Sequence, residues 1–197
     1  MLVLGADENG LGPKLGPLVV TGVVLEDGNL PSEVLIDSKR LFKRNLRSYA
    51  KLEELALGLI SEALGWTPAN ARELAQALGL KINLGDVKLP KWAEKVEEHK
   101  FGVRWLRVRV FSPSQINTSG NKFSLVYKTF LEFLAQARWD EALFGKVGSR
   151  KRYFLPGAKV IKEAKDKSVY ELRGRTVGFY RDAERFSAVA AASIVGK

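Results

Sequence analysis

The sequence contains no cysteine and one histidine, His99. The first absence excludes disulfides, thiolate nucleophiles and cysteine-held zinc or iron–sulfur centres. The second leaves little for an imidazole metal site or for Ser-His-Asp chemistry. Long apolar runs are missing as well. The best two, Leu18 to Leu25 and Ala188 to Val195, fall far short of the roughly 20 residues of a membrane-spanning helix. The start, Met1-Leu2-Val3-Leu4, reaches Asp7-Glu8 with neither the basic segment nor the apolar stretch of a signal peptide. These absences point to a cytoplasmic protein without a membrane partner. Hydrolytic chemistry, if present, falls to carboxylates.

Positive charge is in excess: 32 Lys and Arg stand against 22 Asp and Glu, a net charge of +10. A polyanionic partner follows, because neutralising phosphates releases their counterions. Nucleic acid leads, with an acidic protein surface or plain solubility as the alternatives. The chain has 197 residues, 46% of them hydrophobic, which suits one domain, 1–197, with a substantial core.

Apolar runs at Leu2 to Ala6 and Leu18 to Leu25, separated by Gly10, Gly12, Pro13, Gly16 and Pro17, read as two strands around an irregular turn. Asp37 or Ser38 then caps a helix of roughly 20 residues whose stripe is Leu52, Leu55, Leu59 and Ala63. Shorter helices are expected from Pro68 to Leu78 and from Pro90 to about His99, so that 65–102 forms a small helical insertion. Val103 to Phe111 alternates as a strand, and Ser112-Pro113 ends it. Phe123, Val126, Phe130, Leu134 and Ala137 mark the next helix. Ala142 to Phe144 is a short apolar piece, and Gly145 to Arg152 a basic turn. Strands at Lys159 to Ile161, Ser168 to Leu172 and Thr176 to Tyr180 precede an alanine-dense buried helix, Ala188 to Val195. Strands alternating with helices predict an α/β or mixed-sheet domain.

The sharpest local feature is Gly5-Ala6-Asp7-Glu8-Asn9-Gly10-Leu11-Gly12-Pro13, followed by Leu15-Gly16-Pro17-Leu18-Val19-Val20. Adjacent carboxylates at a strand end repel unless a divalent cation sits between them, and magnesium is the natural candidate; an exposed acidic turn is the alternative. Glycines after the acids allow backbone to approach a phosphate or sugar closely. Asp37-Ser38-Lys39-Arg40 places a hydroxyl, backbone N–H groups and two cations at a helix start, suited either to a phosphate or to simple capping.

In their order these motifs resemble the type 2 ribonuclease H family, ribonuclease HII and its HIII relatives. The likeness takes in the Asp7-Glu8 glycine segment, Asp37-Ser38-Lys39-Arg40-Leu41, Ser112-Pro113-Ser114-Gln115-Ile116-Asn117 with Asn121 opening a helix, and Ala190-Ala191-Ala192-Ser193-Ile194. It implies a ribonuclease H-like mixed β-sheet flanked by helices. It also implies an endonuclease that cleaves RNA in RNA–DNA hybrids, with four carboxylates holding two magnesium or manganese ions. Asp7 and Glu8 form the first pair; the acid before the alanine-rich helix falls in Asp182-Ala183-Glu184, which straddles the family position by one residue either way, Glu184 being the choice and Asp182 next, with simple capping of the helix near Phe186 as the alternative. The third family carboxylate falls at Gly145. That departure opens the alternative of a catalytically degenerate hybrid-binding protein or assembly subunit.

On the same resemblance Asn9, Gly10, Leu11 and Gly12 present backbone to the hybrid minor groove, where 2′-hydroxyls mark RNA. Ser38, Lys39 and Arg40 bind phosphate, and Lys146, Arg150, Lys151 and Arg152 form a basic turn beside the third-ligand position. Leu11 stands where type HII members carry arginine, and no tyrosine segment follows the last helix before Lys197. Both departures argue against cleavage specific to RNA–DNA junctions. The insertion is a surface for clamping the hybrid or for a protein partner. The four tryptophans, Trp66, Trp92, Trp105 and Trp139, read as packing residues.

Overall fold

The computed structural model describes residues 1–12, 16–26, 30, 45–97 and 100–197. Strand β1 (Leu2–Asn9) pairs antiparallel with β2 (Leu18–Glu26), Leu2 opposite Glu26 and Asn9 opposite Val19. Helix α1 (Leu46–Leu64) follows, capped by Asn45, whose side chain accepts from the Ser48 N–H, and closed by Gly65 at φ 77°. The sequence places this helix start near Asp37; the described helix begins at Leu46, and 31–44 lie outside the described residues.

Within the expected insertion the first short helix is α2 (Ala71–Ala77), capped by Asn70. No helix follows Pro90 among the described residues. The N–H groups of Lys91, Trp92 and Ala93 donate to the Glu53 carboxylate of α1 at 2.7, 2.6 and 2.9 Å, and Trp92 packs on Tyr49. Contacts with α1 thus hold this segment as turns. The Glu62 carboxylate likewise takes the N–H groups of Phe101, Gly102 and Val103 at 2.7, 2.9 and 3.2 Å, tying the end of the segment to the same helix.

Strand β3 (Val103–Phe111) leads to α3 (Pro113–Ser119), which Ser112 and Gln115 open with a reciprocal capping box. Helix α4 (Lys122–Gln136) starts at Asn121, and β4 (Glu141–Gly145) enters the sheet parallel to β1, Val3 opposite Glu141 and Ala6 opposite Phe144. Strands β5 (Ala158–Glu163), β6 (Lys167–Leu172) and β7 (Arg175–Tyr180) complete it, β7 parallel to β4 with Gly145 opposite Tyr180. A 3-10 turn (Ala183–Arg185) then leads into α5 (Ser187–Gly196). The strand order β3-β2-β1-β4-β7-β6-β5 gives a mixed seven-stranded sheet flanked by helices, as the sequence predicts.

Alternation along β1 divides the core. Leu4 and Ala6 join Val126, Phe130 and Phe133 of α4, together with Phe144 and Phe179. Val3 joins Leu55 and Leu59 of α1 and Val189, Ala192 and Ile194 of α5 on the other face. Helix α5 lies against β1 at backbone distance: a Cβ on Gly5 would sit 2.2 Å from the Ala188 carbonyl carbon and 2.3 Å from the Val189 nitrogen. Only glycine fits there. The alanines of α5 are the matching requirement from the helix side. Trp105 and Trp139 pack against the α4-side core, while Trp66 and Trp92 are exposed. No helix among the described residues is long and apolar enough to cross a membrane.

Candidate metal and nucleic-acid site

β1, β4 and β7 are adjacent and mutually parallel, so their carboxyl ends lie at one edge of the sheet. Open α/β sheets bind ligands outside that edge. Three segments leave it here: the glycine turn after Asn9, the basic turn after Gly145 and the acidic turn after Tyr180. Together with the end of β1, which holds Asp7, Glu8 and Asn9, they carry every candidate site residue except Ser38, Lys39 and Arg40, which lie outside the described residues.

Asp7 and Glu8 are consecutive on a strand, which ordinarily sends side chains to opposite faces. At the strand end both return to one point. A Cβ on Gly145 would lie 3.4 Å from Asp7 Oδ1 and 3.6 Å from Glu8 Oε2, with nothing else among the described residues within 4 Å. The sequence reading placed Gly145 at the third-carboxylate position, and the β4 register puts its missing side chain directly at the two acids. Glu8 also faces Tyr153, whose hydroxyl is pushed up chiefly by burial, with the Glu8 charge adding to the rise.

The acids after β7 do not complete the set. Asp182 is exposed and ion-paired with Arg185 at 3.0 Å. Glu184 is half-buried on the 3-10 turn. Among the described residues no group of three or more Asp, Glu or His is placed to hold one ion, so neither Asp182 nor Glu184 joins Asp7 and Glu8 there. Among the described residues, the four carboxylates implied by the resemblance are not gathered around one point. The donors present, two carboxylate oxygens on either side of one position beside Gly145, are hard ligands of the kind a divalent cation takes together with water and phosphate oxygens.

Gly10 has φ 89°, and a Cβ there would meet the Pro17 carbonyl oxygen at 2.3 Å, so this turn requires glycine. Lys122, the first residue of α4, donates to the carbonyls of Gly10 and Leu11 at 3.3 and 3.5 Å. Because a trans peptide sets N–H opposite C=O, the N–H groups of Leu11 and Gly12 face away from that lysine. The Leu11 side chain packs against the core, leaving its backbone as the part available to a ligand. Asn9 is held from the far end of the chain, its Oδ1 accepting from Lys197 Nζ at 2.9 Å. The sequence reading missed Lys122. Its signal was a cation in the first turn of a helix, where the dipole disfavours positive charge.

The basic turn is less available than its composition suggests. Lys146 Nζ donates to the carbonyls of Arg150 and Ala164 at 3.1 and 2.8 Å and to Ser168 Oγ at 3.1 Å. Burial lowers its pKa, partly offset by Asp166. A lysine so engaged holds the turn to β6 and offers no free ammonium to phosphate, which corrects its expected role. Arg150 lies over the Tyr127 ring at 4.9 Å, and Arg152 pairs with Glu163 at 3.3 Å while remaining exposed. Lys151 is exposed. Beneath them Tyr153 stacks on Phe179 at 3.7 Å and accepts from the Val147 N–H at 3.0 Å.

No protein-family model matches the chain. It is 28% identical over 143 residues to ribonuclease HII of Methanocaldococcus jannaschii, covering 70% of this chain and 59% of that protein. Shorter stretches match the ribonucleases HII of Paramagnetospirillum magneticum, 46% identical over 54 residues, and Idiomarina loihiensis, 39% identical over 70 residues. These cover 26% and 36% of this chain and 27% and 34% of those proteins, so the chain spans well under two thirds of each curated relative. Among solved structures, ribonuclease H2 from Pyrococcus horikoshii OT3 superposes with a TM-score of 0.56 at 17% identity, over 100% of this chain and 70% of that one. The ribonuclease HII in the PCNA complex from Archaeoglobus fulgidus gives 0.52 at 18% identity, over 100% and 71%. The fold is ribonuclease H-like.

Proposed function

We propose that this chain, a divergent member of the type 2 ribonuclease H family, is a nuclease that cleaves RNA in RNA–DNA hybrids with the help of a divalent cation, magnesium or manganese. The observation that carries this reading is the convergence of Asp7 and Glu8 at the carboxyl edge of β1, beside the glycine turn. Those two carboxylates would hold the cation. When bound, it supplies Lewis-acid stabilisation of the charge that develops on a phosphodiester oxygen during hydrolysis.

The protein's own groups supply position. The N–H groups of Leu11 and Gly12, facing away from Lys122, are suited to sugar or phosphate oxygens of the RNA strand, and Asn9 and Gly10 shape the turn that presents them. Lys151 and Arg152, exposed on the basic turn, neutralise backbone phosphates, and Arg150 stiffens that turn through Tyr127. Ser38, Lys39 and Arg40 extend the phosphate contacts along the hybrid. Asp182 serves Arg185, and Glu184, on the turn after the third strand end, stands apart from the Asp7–Glu8 pair.

The test is cleavage of an end-labelled RNA–DNA hybrid in magnesium or manganese, with all-DNA and all-RNA duplexes as comparison substrates. Hybrid-specific cleavage lost in chelator and in Asp7→Ala is the expected result. Hybrid binding without cleavage in any metal would replace the nuclease reading with that of a hybrid-binding protein. Absence of both would overturn the substrate assignment.

A further inference from the structure

We infer that the site at the ends of β1 and β4 is built for one divalent ion, not two, and that Gly145 sets this number. The inference deepens the proposed function and rests on it only in taking Asp7 and Glu8 as cation ligands. Other glycines of the sheet have packing reasons. A Cβ on Gly5 would collide with α5 backbone at 2.2 Å, one on Gly22 would meet Phe133 Cδ2 at 2.6 Å, and one on Gly178 would meet Tyr180 Cε2 at 2.3 Å. Gly145 has no such reason. Its φ lies outside the left-handed region, and among the described residues a Cβ would touch only the two carboxylate oxygens, at 3.4 and 3.6 Å. The fold tolerates a side chain at this position, and any side chain there would point into the acidic site.

Charge then decides occupancy. Asp7 and Glu8 carry two negative charges, which one divalent ion balances. Two-ion sites hold their metals about 3.5–4 Å apart, and a second ion here would add two positive charges with no third carboxylate grouped with these two among the described residues. Lys122 lies near the turn that follows these acids, and Lys146 immediately follows Gly145 in sequence with its ammonium already engaged, so neither supplies negative compensation. Magnesium held by one or two carboxylates, with water and substrate phosphate completing the shell, is an ordinary arrangement. An aspartate at 145 would bring a third charge to the convergence point and make a second ion tenable.

Manganese binding to the full chain, counted by loss of the free-ion electron paramagnetic resonance signal, tests this without reference to cleavage. Wild type takes one ion, Gly145→Ala one, Gly145→Asp two and Asp7→Ala none, with circular dichroism confirming that each variant is folded. Two ions, or none, on wild type overturn the inference, as does a Gly145→Asp protein that folds and still takes one. If Gly145→Asp does not fold, the claim that side chains are tolerated at 145 fails for a charged group, and the wild-type and Gly145→Ala counts still decide the stoichiometry. One ion on a protein that cleaves no hybrid would defeat the proposed function and leave this inference standing. Two ions on an active hybrid nuclease would do the reverse.

Discussion

Alanine at Gly5 and alanine at Gly145 are the same chemical change on parallel, paired strands, yet the structure assigns them very different costs. At Gly5 the new carbon would lie 2.2 Å from the Ala188 carbonyl carbon, whereas carbons pack at about 3.5–4.0 Å. Helix α5 would have to retreat by roughly 1.5 Å, and a dense interior transmits such a shift. The residues moved, among them Ala188, Val189, Ala191 and Ala192, are buried against β1 and α1. Overpacking costs about 1–3 kcal/mol and occasionally more, and a clash against backbone belongs at the top of that range. We expect Gly5→Ala to lose about 3 kcal/mol, which at about 2–4 °C per kcal/mol for a chain of this length lowers Tm by about 6–12 °C. Gly145→Ala makes contacts of 3.4 and 3.6 Å and restricts the unfolded chain, so its effect falls between about zero and a gain of about 1 kcal/mol. Equilibrium urea unfolding followed by tryptophan fluorescence reads both. A Gly5→Ala loss below about 1 kcal/mol, or a Gly145→Ala loss larger than it, would refute the reasoning.

Three further outcomes follow from named contacts. Glu62→Ala removes three N–H bonds to a carboxylate at the start of β3; because charge-assisted bonds contribute about 1.5–3 kcal/mol each but water replaces part of the loss, about 2–3 kcal/mol in total is expected in the same urea assay. The Tyr170 hydroxyl is pushed up to about 12, first by burial and then by its bond to Glu163. The folded state therefore holds that proton more tightly, and its stabilising contribution is complete below pH 10 and lost as pH rises from 10 toward about 12; Tyr170→Phe should abolish the latest-titrating phase of tyrosinate absorbance. Lys122→Met should weaken hybrid binding by about threefold to tenfold, the equivalent of about 0.5–1.5 kcal/mol, without changing its salt dependence. Lys151→Ala, by contrast, should reduce the salt slope by about one.

The sequence carried the elements whose periodicity comes from burial on one face. Val126 and Phe130 mark α4, although Phe123 of the same expected stripe is exposed, Leu52, Leu55 and Leu59 mark α1, and β3 is the expected strand. The helix expected after Pro90 does not occur because Glu53, 38 residues before Lys91, captures the local N–H groups, and no local pattern signals such a partner. Lys146 reads as a free cation for the same reason: its acceptors at Arg150, Ala164 and Ser168 are brought together by the β4-β7-β6 order. Asp7 and Glu8 were legible as a pair. Their convergence was not, since strand alternation alone would separate them; the strand end and the reach of the glutamate side chain overcome it.

The parallel order β1-β4-β7 explains why such departures accumulate in the site and not in the scaffold. Residues in the body of these strands contact a helix on each face, so Gly5 is fixed by α5 and Gly22, on neighbouring β2, by Phe133 of α4. Residues at their carboxyl ends face the space where the loops leave, and at Gly145 the only close neighbours among the described residues are the two carboxylates. A side chain can be gained or lost there without repacking the core. On the proposed reading, the fold would constrain where ligands to an ion stand but not how many there are, so that one substitution on an unchanged sheet would change the stoichiometry.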